Sequence, residues 1–180
     1  MASYRISQGG QKMVLDMTPI LSGAVDSLAF EFSFIPASDG LLASVRADVG
    51  FPEPVTVKGL VKNMAGYMCL SASAEVTYTT ACARCAEPVC SKLEIAFEKD
   101  IASDEVSREN DDYLFPEDEK LDLLLPVEEE ILLEMPSRTL CREDCLGLCP
   151  KCGKNLNEGS CGCAQHEPDP RLAVLKTLLK

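Results

Sequence analysis

The sequence predicts an α+β fold: a curved antiparallel sheet with short helices and a C-terminal, cysteine-rich zinc knuckle. Three observations support this class: segments in which apolar residues alternate with polar ones, two short segments with helix signals, and closely spaced cysteine pairs. The 180 residues, 46% of them apolar, are enough to bury a core without help from disulfides.

The alternation is clearest in residues 28–35, where Phe30, Phe32 and Phe34 are separated by small or polar residues. Further strands are predicted over residues 55–61, 66–80 and 89–97, with a hairpin turn at Gly66. These strands suggest a meandering antiparallel sheet. The segment from 36 to 54 carries three prolines and two glycines and is therefore predicted to be a connection.

One helix is predicted near Pro126, which suits a first helical turn. Three glutamates, Glu128 to Glu130, favour a helix N-terminus there, and Pro136 ends the apolar pattern. A last helix is predicted from Asp169, its N-cap, to Lys180. The domain prediction is therefore an α+β domain over residues 1–140 and, over residues 141–180, a zinc knuckle with a C-terminal helix packed on that domain.

Residues 102–120 are strongly acidic and polar, and they are predicted to form a loop. Most charge runs are simply solvated surface. The functional alternative is an acidic site that attracts a basic partner.

The strongest chemical signal is Cys149-Pro-Lys-Cys152-Gly followed by Cys161-Gly-Cys163. The first motif forms a tight knuckle whose backbone amides can donate to thiolate sulfurs, and its glycine permits the close approach. Four thiolates at this spacing can surround one zinc ion as a tetrahedron. The sequence therefore predicts a structural zinc site.

A second set is less local: Cys82 and Cys85 lie at a strand-to-strand turn, and Cys141 and Cys145 precede the knuckle. These four would form another all-cysteine site if they converge, giving one or two zinc ions in total. Another grouping, Cys141, Cys145, Cys149 and Cys152, satisfies the same spacing rules.

The remaining thiols, Cys69 and Cys90, lie inside strand patterns and are predicted to be small core residues. His166 is close enough to Cys163 to be a substitute ligand, but with four cysteines available it is assigned to the surface.

No catalytic residues are predicted. A catalytic zinc keeps an open position and usually has histidine or carboxylate ligands, whereas an all-thiolate site is coordinatively closed. A thiol redox role for Cys82 and Cys85 is a minor alternative, because the pair does not open a helix in a βαβ context.

The N-terminus has no apolar segment of the signal-peptide kind and no stretch is long enough to span a membrane, so a cytoplasmic location is expected. Cytoplasmic thiols stay reduced, which favours metal ligation over disulfides. The formal charge of −12 predicts repulsion from phosphate backbones overall and attraction for basic proteins.

The sequence also resembles the YceD family, a bacterial group with a chloroplast branch linked to accumulation of large-subunit ribosomal RNA. The resemblance covers residues 13 to 180. It rests on the ordered combination of Cys82-Ala-Arg-Cys85, Tyr113-Leu-Phe-Pro116, Glu129-Glu-Ile-Leu-Leu-Glu-Met-Pro136, the Cys145 to Asn157 segment, and Asp169-Pro-Arg-Leu-Ala-Val-Leu175.

This resemblance implies a non-enzymatic role in large-subunit biogenesis, through a basic ribosomal protein or pre-ribosomal RNA, without membrane or small-molecule substrate. The alternative is a direct RNA-binding zinc module with a local basic patch. Its candidate contacts are Lys151, Lys154 and Arg171, supported by Lys176 and Lys180, although such side chains are often only a solvated face.

Overall fold

The protein is α+β, as predicted. The computed structural model describes residues 7–9, 12–102 and 113–163. In chain order the elements are β1 (Ser7–Gly9), β2 (Lys12–Asp16), α1 (Thr18–Leu21), β3 (Ser27–Phe34), α2 (Leu41–Val45), β4 (Val55–Met64), β5 (Tyr67–Ala81), β6 (Pro88–Ile101), β7 (Tyr113–Leu114), β8 (Lys120–Asp122), α3 (Leu124–Glu134) and a 3-10 helix (Leu156–Glu158).

The larger sheet has five strands in the order β3-β4-β5-β6-β7. The pairs β3/β4 and β4/β5 are antiparallel, as expected, but β7 pairs with β6 in parallel. The prediction of a purely antiparallel sheet is therefore wrong, and the sheet is mixed. The parallel strand comes from the acidic segment, where Tyr113 and Leu114 add two residues beside Asp100 and Ile101.

A tight hairpin joins β4 to β5 and sets their register. Ala65 and Gly66 both have positive φ, +55° and +98°, as two-residue hairpin turns with the twist of the strands require. Asn63 supports the turn, since its side-chain oxygen accepts the amide N–H of Gly66 at 2.9 Å. The hairpin turn at Gly66 is thus where the sequence predicts it.

A second sheet of three strands, in the order β1-β2-β8, has no counterpart in the predicted fold. Its strand β2 alternates in burial, with Met13 and Leu15 inside. The segment from 36 to 54, predicted to be only a connection, also contains the short helix α2.

The helix α3 begins two residues before Pro126, so Glu128 to Glu130 are not in its first turn. Their assignment to the helix N-terminus is wrong. Glu128 instead lies on the buried face of α3 with Pro126, Val127 and Ile131, and α3 packs against α2 and β2.

Several predictions fall outside the described residues. These are the last helix from Asp169, the assignment of His166, the basic residues Arg171, Lys176 and Lys180, and most of the acidic loop. No helix in the described part of the chain is long and apolar enough to cross a membrane.

The chain divides into two compact units, which are not continuous in sequence. The sheet unit is Met1–Thr80 with Cys90–Ser137, and the cysteine unit is Ala81–Val89 with Arg138–Lys180. The sheet unit has an aliphatic and aromatic core that includes Leu15, Phe32, Val57, Leu70 and Ile131. The cysteine unit has a small core of its own around Cys82, Cys85 and Cys145. The predicted packing of the knuckle and final helix on the sheet domain stays a prediction.

Candidate functional site

The loop between β5 and β6 places the first cysteine pair. Cys82 follows the last residue of β5, and its N–H donates to the carbonyl of Glu87 at 2.8 Å. The N–H of Ala86, a residue with φ of +60°, donates back to the carbonyl of Cys82 at 2.9 Å. This tight loop turns the side chains of Cys82 and Cys85 into the interior of the cysteine unit, where they are 3% and 4% exposed.

The second pair is held against this loop by backbone hydrogen bonds. The N–H of Ala83 donates to the carbonyl of Thr139 at 2.9 Å, and that of Leu148 donates to the carbonyl of Arg84 at 2.9 Å. The guanidinium of Arg84 in turn donates to the carbonyl of Cys145 at 2.8 Å. Residues far apart in sequence therefore converge on one point.

The four sulfurs of Cys82, Cys85, Cys141 and Cys145 form a first cluster, in which all lie within 4.8 Å of one another. The Sγ atoms of Cys82 and Cys145 are 3.9 Å apart, and those of Cys85 and Cys141 are 3.6 Å apart. A tetrahedral zinc site with bonds of about 2.3 Å has sulfurs about 3.8 Å apart. The spacing in this cluster fits that geometry.

The sulfurs of Cys149, Cys152, Cys161 and Cys163 form a second cluster, again within 4.8 Å of one another. Both clusters could hold a metal ion. The four cysteines in each cluster are those that the spacing first suggested, and not the alternative set of Cys141, Cys145, Cys149 and Cys152.

The knuckle that carries the second cluster is closed by two hydrogen bonds. The N–H of Cys149 donates to the carbonyl of Lys154, and the N–H of Gly153 donates to the carbonyl of Cys149, both at 2.8 Å. Gly153, which precedes Lys154, has a φ of +74°, a backbone conformation that few residues other than glycine adopt. The Nζ of Lys154 donates to the carbonyl of Ser160 at 3.2 Å, so this predicted RNA contact helps to hold the loop between the ligand pairs.

Backbone amides favour the ionised form of at least one cysteine in each cluster. Burial acts to raise the pKa of Cys82, but the amides of Arg84, Cys141 and Cys85 donate to its thiolate and lower the pKa to about 6. The amides of Cys152 and Lys151 lower the pKa of Cys149 to about 6. Each cluster thus offers a ready anionic ligand.

Other cysteines in the clusters resist ionisation. The amide of Glu87 favours the thiolate of Cys85, but burial and the neighbouring thiols raise its pKa to about 12. The adjacent thiols of Cys161 and Cys152 raise the pKa of Cys163 to about 12. A dication between the sulfurs relieves this mutual repulsion, and four ionised cysteines are the ligand set that zinc takes in closed structural sites.

Asn157 is a functional residue whose role the spacing arguments missed. Its Nδ2 donates to the Sγ of Cys145 at 3.3 Å and its Oδ1 accepts the N–H of Leu146 at 2.8 Å. The hydrogen bond from Asn157 is the largest cause that lowers the pKa of Cys145. The sequence signal for this role was the Asn-x-Asn motif between two cysteine pairs. The Oδ1 of Asn155 accepts a hydrogen bond from the Nδ2 of Asn157 at 2.8 Å and so positions that side chain.

Gly147 is a second residue of this kind. It has a φ of +75°, and a Cβ built on it would lie 2.9 Å from the carbonyl oxygen of Arg84. Its neighbours Leu146 and Leu148 are exposed, so the glycine serves backbone packing between the cysteine pairs.

The two remaining cysteines lie outside both clusters. Cys69 is half-buried, and Cys90 is exposed, so the prediction that Cys90 belongs to the core is wrong. Side chains two residues apart in a strand share one face of the sheet. Lys92, Glu94 and Glu98 lie on the same face of β6 as Cys90 and are all exposed, so the sequence carried a signal that Cys90 lies on the outer face.

Comparison with known proteins decides the family. The model of the family described as "Large ribosomal RNA subunit accumulation protein YceD" matches residues 70–179, more than half of the chain. The chain belongs to the YceD family. All eight clustered cysteines lie within the part that matches the YceD family.

Individual relatives match over shorter lengths. An uncharacterized protein of Mycobacterium tuberculosis is 38% identical over 103 residues, covering 54% of this chain and 49% of the relative. YlbN of Bacillus subtilis is 41% identical over 73 residues, or 40% of this chain and 42% of YlbN. The chloroplastic YCED homolog 1 of Arabidopsis thaliana has a name that also refers to large ribosomal RNA subunit accumulation. It is 33% identical over 63 residues, covering 35% of this chain and 20% of the homolog.

The chain thus spans about half the length, or less, of the curated relatives that it matches. No solved structure gives a significant match.

Proposed function

We propose that this chain is a non-enzymatic factor in large ribosomal subunit biogenesis that promotes accumulation of large-subunit rRNA by binding a basic ribosomal protein. The observation that carries the proposal is the family match over residues 70–179, whose description names large ribosomal RNA subunit accumulation. The clusters and the distribution of charge support the mechanism.

The two clusters are proposed to bind zinc as structural sites. The sulfur-to-sulfur distances of the first cluster fit a zinc tetrahedron, and backbone amides and Asn157 donate to its sulfurs. Four protein ligands leave no open position on the metal for water or substrate. A stabilising role, rather than catalysis, follows from that donor set.

Charge is unevenly distributed between the two units. Among the described residues of the sheet unit, acidic side chains outnumber basic ones by more than two to one, whereas in the cysteine unit the numbers are nearly equal. An acidic surface steers and holds basic proteins and repels phosphate backbones. The sheet unit is therefore the proposed contact for the basic partner.

Direct RNA binding is the second candidate, and the observation in its favour is the near balance of charge in the cysteine unit. Several of its cations, however, already hold the local structure: Arg84 binds two backbone carbonyls, Arg142 pairs with Asp144, and Lys154 binds the carbonyl of Ser160. Contacts of this kind restrict how those side chains reach a phosphate. A basic protein is therefore the preferred partner.

Depletion of the protein in its native host tests the function. Large-subunit rRNA is expected to fall relative to small-subunit rRNA, with slower growth and no loss of a metabolic activity. An unchanged ratio would contradict both partner models.

Charge variants separate the two partners in that host. Neutralising Asp111, Asp112, Glu117, Asp118 and Glu119 abolishes rescue if a basic protein is bound, whereas neutralising Lys151, Lys154 and Arg171 abolishes it if RNA is bound. Salt alone does not discriminate, because Coulomb attraction weakens with ionic strength in both cases.

Elemental analysis of the purified protein tests the metal. We expect two zinc ions per chain, one equivalent lost in Cys82→Ser, and none lost in the control Cys90→Ser, since Cys90 lies outside both clusters. Chelation is expected to reduce amide protection in residues 141–163 before that in the sheet. A chain without zinc, or protection retained there after complete metal removal, would contradict the structural role.

A further inference from the structure

A cavity of about 450 Å³ lies in the sheet unit, beside β2 and α3. We call it the β2–α3 cavity and define it by Lys12, Met13, Phe34, Asp122, Leu124 and Glu128. Its volume is in the range of sites that bind small molecules or single side chains. A neighbouring cavity of about 350 Å³ shares Lys12, Asp122 and Leu125 with it, so the two cavities adjoin.

Glu128 is the unusual residue in this cavity. It is 6% exposed, and no described residue forms a hydrogen bond or ion pair with its carboxylate. Burial raises the pKa of Glu128, and no other cause contributes to the shift. The carboxylate oxygens of Glu128 still reach the solvent of the cavity, but the group is less well solvated there than in the unfolded chain. Such perturbed groups mark functional sites more often than chance would give.

The other charged groups that face the cavity leave it acidic. Lys12 lies 4.0 Å from a carboxylate oxygen of Asp122, so these two charges offset each other. Asp39, from the loop before α2, also lines the cavity but already takes part in another interaction, so the carboxylate without a partner is that of Glu128. A cation is therefore the complement that the cavity lacks.

The walls of the cavity are apolar and continue to the surface. Met13 and Phe34 are buried, while Ile35 and Leu125, which line the same space, are 70% and 52% exposed. A lysine or arginine side chain combines an apolar stem with a cationic end, and it matches apolar walls that carry a single carboxylate. The exposed Ile35 and Leu125 would then contact apolar neighbours of that side chain in a peptide.

We propose that the β2–α3 cavity binds a lysine or arginine side chain of a partner peptide in which apolar residues flank the basic one, with Glu128 as the counter-ion. The proposal rests on the proposed function in one respect, since it gives the basic partner protein a contact point on the sheet unit.

Fluorescence anisotropy with defined peptides tests the site on the full-length, metal-loaded protein. The probe is a short, end-capped peptide with one central arginine flanked by leucines, and its control carries neutral citrulline in place of arginine. Glu128→Gln is expected to weaken binding of the arginine peptide at least about tenfold, because a desolvated charge pair is lost. Glu129→Gln makes the same charge change one residue along α3, at an exposed position, and is expected to alter binding less than about twofold.

Two further measurements sharpen the test. The citrulline peptide is expected to bind wild type and Glu128→Gln equally weakly, and Ile35→Ser is expected to weaken the arginine peptide without unfolding the chain, since Ile35 is largely exposed. Melting curves check that each variant is folded.

Equal effects of Glu128→Gln and Glu129→Gln would overturn the proposal and leave only a diffuse acidic surface. Equal affinity of the arginine and citrulline peptides would also overturn it, as would tighter binding of an RNA oligomer than of the peptide at this site. None of these outcomes changes the rRNA ratio in a depleted strain, so failure of the cavity and failure of the proposed function are distinguishable.

Discussion

Replacing Asn157 by alanine is expected to weaken metal binding at the first cluster and leave the second unchanged. The substitution removes the amide N–H that lies 3.3 Å from the Sγ of Cys145. Although Asn157 lies in sequence between the ligands of the second cluster, its side chain serves the first. The variant therefore separates sequence neighbourhood from spatial contact.

The expected loss of metal affinity depends on the hydrogen bonds that Cys145 keeps in the variant. Loss of a hydrogen-bonding neighbour of a metal ligand costs roughly 10- to 100-fold in metal affinity. The backbone amide of Gly147 also donates to the thiolate of Cys145 and is retained. The N–H of Leu146 loses its acceptor, but Leu146 is exposed and water can replace it. We therefore expect the lower end, about tenfold or about 1.4 kcal/mol.

Competition with a chromogenic zinc chelator measures the affinity, and cadmium NMR assigns the effect to one of two metal resonances. Asn63→Ala is the matched control, because Asn63 also accepts one backbone N–H but lies in the β4/β5 hairpin of the sheet unit. Unchanged affinity at the first cluster, or an equal loss in the Asn63 variant, would refute the reasoning.

Three other predictions concern stability and reactivity. Gly59→Ala should lower the free energy of unfolding by about 1–3 kcal/mol in urea titrations, because its Cβ would lie 2.9 Å from the carbonyl of Ser71 and against the ring of Phe30; an unchanged midpoint would contradict this. Burial raises the pKa of Glu128 above its usual 4.5, so its contribution to stability is present in acid and is lost as pH rises through the folded-state value. Glu128→Gln should therefore melt higher than wild type near neutral pH, with the difference disappearing below about pH 4; a lower melting temperature at neutral pH would contradict the assignment. In the metal-loaded protein a thiol reagent should modify exposed Cys90 first without metal release, and Cys69 more slowly, since burial raises the pKa of Cys69; zinc release on the first modification would place Cys90 among the ligands.

The sequence predicts the long strands well because their side chains alternate over many residues. The predicted strands over residues 28–35 and 66–80 agree within one residue with β3 and β5. The alternation reports a face packed on a core, and that face is determined locally. The positive φ at Gly66 is likewise a local property.

Short elements were missed because their stability comes from tertiary contacts. The strand β8 has only three residues, and its place beside β2 depends on pairing Leu15 with Leu121 across more than a hundred residues. No local pattern reports such a pair. The same is true of β7, in which only Tyr113 and Leu114 pair in parallel with Asp100 and Ile101 of β6.

The site was predictable where chemistry dictates spacing. Cysteine pairs two to four positions apart restrict the ligand sets, although spacing alone left a rival grouping that joined Cys141 and Cys145 to the knuckle. Glu128 was not predictable as a cavity residue, because three consecutive glutamates look alike in sequence and only the packing of α3 buries one of them.

The first cluster also has a consequence for the order in which the chain can fold during synthesis. Cys85 and Cys141 are 56 positions apart, and the segment between them supplies β6, β8 and α3 of the sheet unit. In the chain-entropy description of cross-links, a metal bridge across a loop of this length raises the free energy of the unfolded chain by about 4 kcal/mol. A ribosome synthesises the chain from its N-terminus, so this bridge cannot close until Cys141 and Cys145 have left the ribosome. The ligands of the second cluster follow within 18 further residues. When a metal closes the first cluster, this closure therefore fixes the β5–β6 loop only after the strands and helix between its ligands have been made.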